Sequence, residues 1–278
     1  MQVAFVLYPG FTALDMVGPF EVLAFVPGVE TVIVAEEPGP VVSEMANLVI
    51  GAAAGLDDVP RPDIVVVPGG PGQAHRMVDG ALHEWLRTVD RTCAWMTSVC
   101  TGSLILAAAG LLAGRRATSH WLAVDQLPRY GVTPADERVV VDGHYVTAAG
   151  VSAGIDMALA LTGRIAGDDV ARSRQLSIEY APEPPYDAGS PRTAPPAVVA
   201  SLVGRRDEIL TGWGCAARSS SPARRWSTPT LAARWRRSDV VIPSARPGPP
   251  TASGRRCRRR GRGSSGSSRR RLRSRRGG

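Results

Sequence analysis

The residues able to do chemistry in this sequence are one thiol, one carboxyl group and one glycine-rich loop, each placed just after an apolar run. Ala94-Trp95-Met96-Thr97-Ser98-Val99-Cys100-Thr101-Gly102-Ser103 takes an apolar strand straight into a small-residue turn that opens a helix. A thiol at that junction lies beside the unpaired amide donors of a first helical turn, and those donors with the helix dipole favour the thiolate. Cys100 is therefore the candidate nucleophile, in a pattern analogous to the nucleophile elbow of hydrolases with Cys in place of Ser. The alternative is a buried structural cysteine, since free Cys is among the most buried residue types. Gly102 and Ser103 are small enough to let another group approach closely. Residues 104–109 are good helix formers, and Gly110 ends the run.

Asp15 follows the first apolar run, residues 3–8, which Pro9-Gly10 terminates. A helix over 12–24 would have Thr12 as its N-cap and Asp15 in its first turn, where a carboxylate suits the dipole without any further role. The third strong strand, 63–67, ends in Pro68-Gly69-Gly70-Pro71-Gly72. Such a loop can turn backbone amides toward a ligand, as anion-binding nests do. It is neither a dinucleotide fingerprint nor a Walker loop, and Pro71 has no N–H to give. An ordinary tight turn is the competing reading.

Apolar runs bounded by turn residues predict strands at 31–35 and 47–50 and a helix over 81–89. A short strand follows at 116–119, and a helix begins at His120-Trp121 and is interrupted by Pro128. A hairpin over 139–146 has an Asp-Gly turn, and two helices cover 152–165 and 168–180. Strand and helix alternate, which predicts an α/β fold: a doubly wound, mostly parallel sheet with helices on both faces. In such sheets ligands bind outside the carboxyl ends of the strands. Asp15, Gly70 and Cys100 all follow carboxyl ends, so three features that are ambiguous singly converge on one pocket.

Composition splits the 278 residues in two. Residues 1–200 hold 12 Arg against 22 acidic side chains, whereas 201–278 hold 21 Arg against 3, and Lys is absent throughout. The net charge of +8 thus belongs to the tail. Beyond about residue 200, Arg clusters alternate with Gly and Ser and apolar periodicity is lost, so this stretch is expected to be disordered. Its arginines could contact phosphates of a nucleic acid, with Trp213, Trp226 and Trp235 stacking on bases. The same composition is what a GC-rich gene yields when read in a shifted frame. The two parts expected are thus a catalytic domain at 1–200 and a tail at 201–278. Cys93, Cys100, Cys215 and Cys257 show no CxxC spacing, and no second ligand is spaced for a metal near His75, His83 or His144, which read as surface residues. Cys93 reads as inert packing, and Glu21 as a solvated or dimer-contact carboxylate. No leader and no membrane span are expected, and a reducing cytoplasm would keep Cys100 a thiol.

Several runs together carry a resemblance. They are Leu14-Asp15-Met16-Val17-Gly18-Pro19, Pro68-Gly69-Gly70, Ser98-Val99-Cys100-Thr101-Gly102-Ser103, Ala109-Gly110-Leu111-Leu112-Ala113-Gly114, Thr118-Ser119-His120-Trp121, Gly154-Ile155-Asp156 and Glu179-Tyr180-Ala181-Pro182 through Gly189-Ser190-Pro191. Over residues 2–196 the chain resembles the DJ-1/PfpI superfamily and, within it, the isonitrile hydratases. The resemblance implies Cys100 as nucleophile, Asp15 as acid/base and Thr101 as a supporting polar group. It further implies a small isocyanide as substrate, hydrated to an N-substituted formamide through a cysteine thioimidate, with no metal or organic cofactor and with a homodimer as the assembly. Gly70, His120 and Val151 are the expected substrate-side residues. His120 could approach Cys100 as in other superfamily members, although a His at a strand–helix junction is commonly a packing residue. Thr101 stands where the related proteases carry the His that serves as base, which argues against a peptidase. Pro71, and the run Ala148-Ala149-Gly150-Val151, bulkier than the family's glycine-rich one, bear on substrate size. Two other readings remain at this level: a ligand-sensing domain of a transcription regulator, which calls for amphipathic helices after residue 200, and a thiol-based stress sensor in which Cys100 is oxidised.

Overall fold

The first apolar run is β1 (Gln2–Val6), and it becomes a central strand because Val3, Ala4, Phe5 and Val6 are each wholly buried. Burial on both faces requires cover on both faces, as in parallel α/β sheets. In the computed structural model, which describes residues 1–211, α1 (Ala13–Leu23), β2 (Glu30–Ala35), β3 (Gly39–Val42), β4 (Val49–Ala52) and β5 (Ala54–Gly55) follow. Then come β6 (Ile64–Val67), α2 (Ala81–Asp90), β7 (Trp95–Val99), α3 (Gly102–Ala108), β8 (Arg116–Ala117) and β9 (Thr133–Pro134). The hairpin β10 (Val139–Asp142) and β11 (Tyr145–Ala148), and the helices α4 (Ala153–Ala166), α5 (Asp168–Ser177), α6 (Pro196–Val203) and α7 (Arg206–Thr211), complete the described chain. The chain divides into two units, Met1–Ser227 and Thr228–Gly278, and all described residues belong to the first. The Arg-rich tail from residue 212, with the disorder and nucleic-acid contacts expected of it, lies outside the described residues; α6 and α7 carry regular structure past residue 200.

The main sheet runs β10-β11-β7-β6-β1-β2-β5, parallel throughout except for β10 on β11. From its centre the chain crosses from β1 to β2 in one direction and from β6 to β7 in the other. Right-handed crossovers in opposite directions put α1 and α2 on opposite faces, and the helices sort accordingly: α1 packs with α4 and α4 with α5, while α2 packs with α3. The change of direction falls between β1 and β6, so the crevice of this sheet opens at their carboxyl ends. Phe5, Ile64, Met96, Leu104, Ile105 and Leu106 fill the core without exposure, each contributing about 1.5–3 kcal/mol of burial.

Two local expectations are corrected. Thr12 stands at the N-cap of α1, but its hydroxyl donates to Glu44 Oε2 at 2.9 Å and does not cap the helix. The partner of that bond comes from an antiparallel ribbon, β3 on β4, whose first strand the sequence conceals behind Pro38 and Pro40. The helix expected from His120 is a turn followed by a 3-10 helix, Val124–Tyr130, because Pro128 lacks the N–H that an α-helical ladder needs.

The elbow is set by contact with neighbouring backbone. A side-chain carbon on Gly102 would lie 2.2 Å from the Val67 carbonyl oxygen, and one on Gly69 would lie 2.5 Å from the Thr101 nitrogen. Neither neighbour can move without parting β6 from β7. Gly102→Ala is accordingly expected to cost about 3 kcal/mol through overpacking, read as a lowered denaturant midpoint; an unchanged midpoint would mean that α3 can move away from the Pro68-Gly69-Gly70 loop.

Candidate active site

Cys100 sits between β7 and α3 with φ +58°, a left-handed conformation rare for a side chain with Cβ and of the kind stored at functional sites. The conformation is held from several sides. Its N–H donates to the carbonyls of Ala148 (3.1 Å) and Ala149 (3.0 Å), and its own carbonyl accepts from the hydroxyls of Ser119 (3.0 Å) and Ser103 (3.2 Å). The thiol is 5% exposed, and the backbone N–H groups of Val151 and Thr101 donate to it.

Asp15 is wholly buried. Its Oδ2 accepts the Gly69 N–H at 2.8 Å, and its Oδ1 has no hydrogen-bond partner of standard geometry. The Cys100 thiol is a weak hydrogen-bonding neighbour of the same carboxyl. Burial is the main reason that the Asp15 pKa rises from 3.8 to about 7; the Gly69 N–H opposes the rise and the charge of Glu44 adds to it. The same physics overturns one sequence expectation. Burial first, and the negative charge of Asp15 second, push the Cys100 thiol well above its ordinary pKa, more than the two backbone donors pull it down. The resting pair is therefore a thiol beside a carboxyl group that titrates near neutrality.

The glycine loop completes the wall. Thr101 Oγ1 accepts the Gly70 N–H at 3.0 Å, so the hydroxyl fixes the loop against the elbow. Gly70 has φ +124°, and a Cβ on it would lie 2.4 Å from the Thr12 nitrogen. The loop thus touches the first turn of α1 on one side and Cys100 on the other. Val151, at φ +25°, brings its N–H to the sulfur. His120 packs against Gly150, where a Cβ would lie 2.9 Å from its Cδ2; its Nδ1 accepts the Leu122 N–H at 3.2 Å, and burial lowers its pKa. Among the described residues it has no hydrogen bond to Cys100. It forms part of the surroundings of Gly150 and Val151.

Two neighbours carry no sequence signal. Glu44 is exposed and accepts the Thr12 hydroxyl, and its charge acts on both Asp15 and Cys100. Tyr8, whose OH donates to the Pro68 carbonyl at 2.8 Å, is raised by burial and by the charges of Asp15 and Cys100. Both arise from pairings between distant segments, which no local pattern reveals. His75 is exposed and His144 part-exposed, in keeping with surface residues, and only His83 departs from that expectation. His83 is buried, with Nε2 2.8 Å from the Arg76 carbonyl oxygen, and His144 Nε2 lies 2.9 Å from Asp90 Oδ1. Glu21 is exposed as expected, and its backbone carbonyl accepts from Arg174 Nε at 2.9 Å.

A mostly parallel α/β sheet with a cysteine at a left-handed elbow and a buried acid beside it defines the class. The chain belongs to the DJ-1/PfpI family, whose model matches residues 1–163. It is 45% identical over 199 residues to the isonitrile hydratase of Pseudomonas putida, an alignment covering 72% of this chain and 87% of that protein. It is also 33% identical over 176 residues to the HTH-type transcriptional regulator CdhR of Pseudomonas aeruginosa, covering 60% of this chain and 51% of that one. Among solved structures, a ThiJ/PfpI family protein from Pseudomonas syringae matches with a TM-score of 0.71 and 36% identity, over 76% of this chain and 90% of that one. No helix among the described residues is long and apolar enough to cross a membrane.

Proposed function

We propose that the protein is an isonitrile hydratase. The observation that carries the reading is the buried Asp15 carboxyl, raised to about 7, beside the Cys100 thiol; the 45% identity to the Pseudomonas putida enzyme supports it. Asp15 as carboxylate takes the thiol proton and passes it to the isocyanide carbon, which holds the lone pair. The carbon of the resulting R–N≡CH⁺ is electrophilic, and the Cys100 thiolate bonds to it to give the thioimidate R–N=CH–S. Water then adds at the same carbon while Asp15 accepts its proton and returns one to nitrogen. The tetrahedral R–NH–CH(OH)–S collapses, the C–S bond breaks, and the hydroxyl proton returns to sulfur. The product is an N-substituted formamide, and no redox step occurs. Thr101 holds the Gly70 loop in place through this sequence, and Gly70, Val151 and His120 border the substrate. A homodimer in the cytoplasm belongs to the same reading.

The test is formamide formation from cyclohexyl isocyanide by the full chain, followed by chromatography. Turnover supports the hydratase. Binding of isocyanide without turnover would favour the second reading, a ligand-sensing domain, which the likeness to the transcriptional regulator CdhR supports.

A further inference from the structure

The fold assembles a second cluster of reactive groups at the opposite end of β7. Asp90 is the last residue of α2, Cys93 lies in the turn before β7, and His144 lies in the turn joining β10 to β11. One ligand atom from each lies within 4.8 Å of the others. Seven residues of extended chain, roughly 20 Å, separate Cys93 from Cys100, so this is a separate place from the elbow.

We propose that Asp90, Cys93 and His144 bind one zinc ion. A thiolate, an imidazole and a carboxylate are the donor types zinc accepts, and the two negative charges neutralise the divalent ion. Bond lengths of about 2.0–2.3 Å put tetrahedral ligands roughly 3.3–3.7 Å apart, so the ion would replace the 2.9 Å hydrogen bond between Asp90 and His144, opening that pair slightly, within a set whose ligand atoms already lie inside 4.8 Å of one another. A further observation points to metal binding. The Tyr145 hydroxyl donates to Asp90 Oδ2 at 2.9 Å, which orients the carboxylate and leaves Oδ1 toward His144. The Tyr145 ring is itself held under the Arg115 guanidinium at 4.4 Å. Ligands oriented by outer hydrogen bonds are characteristic of metal sites. Both Asp90 and His144 keep partial exposure, 18% and 34%, which gives the ion an entry path and a fourth position for water. On binding, the Cys93 S–H proton leaves to solvent as the Zn–S bond forms. The ion would clamp the end of α2, the start of β7 and the β10–β11 hairpin together.

The experiment titrates the reduced, metal-free full-length protein with cobalt(II) as a spectroscopic substitute and then with zinc. One equivalent of cobalt is expected to give a near-ultraviolet thiolate-to-metal band that persists in Cys100→Ala and disappears in Cys93→Ser and in His144→Asn. Zinc at about one hundred times its dissociation constant is expected to raise the melting midpoint of the wild type by about 5–10 °C and to leave both site variants unmoved. Metal-free melts matching the wild type show that the variants fold. Should a variant fail to fold, the other carries the comparison. No band at one equivalent, or a band that survives Cys93→Ser, overturns the site.

Discussion

Alanine at position 100 is expected to abolish isocyanide turnover, by about 10⁴-fold or more, with the fold retained. Nucleophile removal of this kind leaves only binding and polarisation to accelerate the reaction. The fold should tolerate the change because alanine has the same Cβ as cysteine: the φ of +58° carries no added strain, and all four backbone hydrogen bonds at residue 100 are kept. A serine there would keep a donor but lose the soft, polarisable sulfur, so Cys100→Ser should rescue little. Rapid acid quench during wild-type turnover, followed by mass spectrometry, should find the substrate mass added to the peptide carrying Cys100. A variant without sulfur that still turns over would place the covalent step elsewhere or remove it.

Asp15→Asn should lose about 10²–10⁴-fold in kcat while the protein becomes more stable at high pH. The first effect follows from the loss of a proton shuttle. The second follows from linkage. The carboxyl titrates near 3.8 when unfolded and at about 7 when folded, so between those values the folded state holds more protons. Stability is then fully present below about pH 4, falls as pH rises and levels off above about pH 7. A rise of that size corresponds to roughly 4 kcal/mol at about 1.4 kcal/mol per pKa unit. Asn cannot ionise, so urea midpoints for Asp15→Asn should be nearly flat across this range and exceed the wild type at pH 8. The dependence of wild-type kcat/KM on a group near 7 should vanish in the variant. Equal pH slopes in the two proteins would mean that Asp15 is not the group buried uncharged. An enzyme that becomes sturdier as it loses activity is what a destabilised catalytic acid predicts.

Much of this was legible in the chain because it is local. An apolar run entering small residues marks the elbow, and alternation of strand and helix, with the rule for carboxyl ends, directs Asp15, Gly70 and Cys100 to one pocket from residue order alone. What stayed hidden depends on pairing across distance or on the balance of opposing effects. The dipole at α3 suggested a thiolate, but a helix of seven residues competes with burial and a neighbouring acid, and burial wins. The first strand of the β3–β4 ribbon was masked by proline. His83 reads as a surface histidine on an amphipathic helix, yet the Arg76 carbonyl takes its ring inside. Asp90 and His144 are 54 positions apart and have no common motif, although the fold puts them in contact.

The Thr12–Glu44 hydrogen bond has a consequence for how the protein meets its medium. Glu44 stands in solvent while the carboxyl and thiol it repels are buried. Dissolved ions collect around an outward-facing charge and weaken its reach, whereas they have no access to Asp15. The ribbon therefore acts as an antenna: the ionic strength of the surroundings is felt at a buried carboxyl, and more salt should draw its titration toward lower pH with no ion entering the pocket.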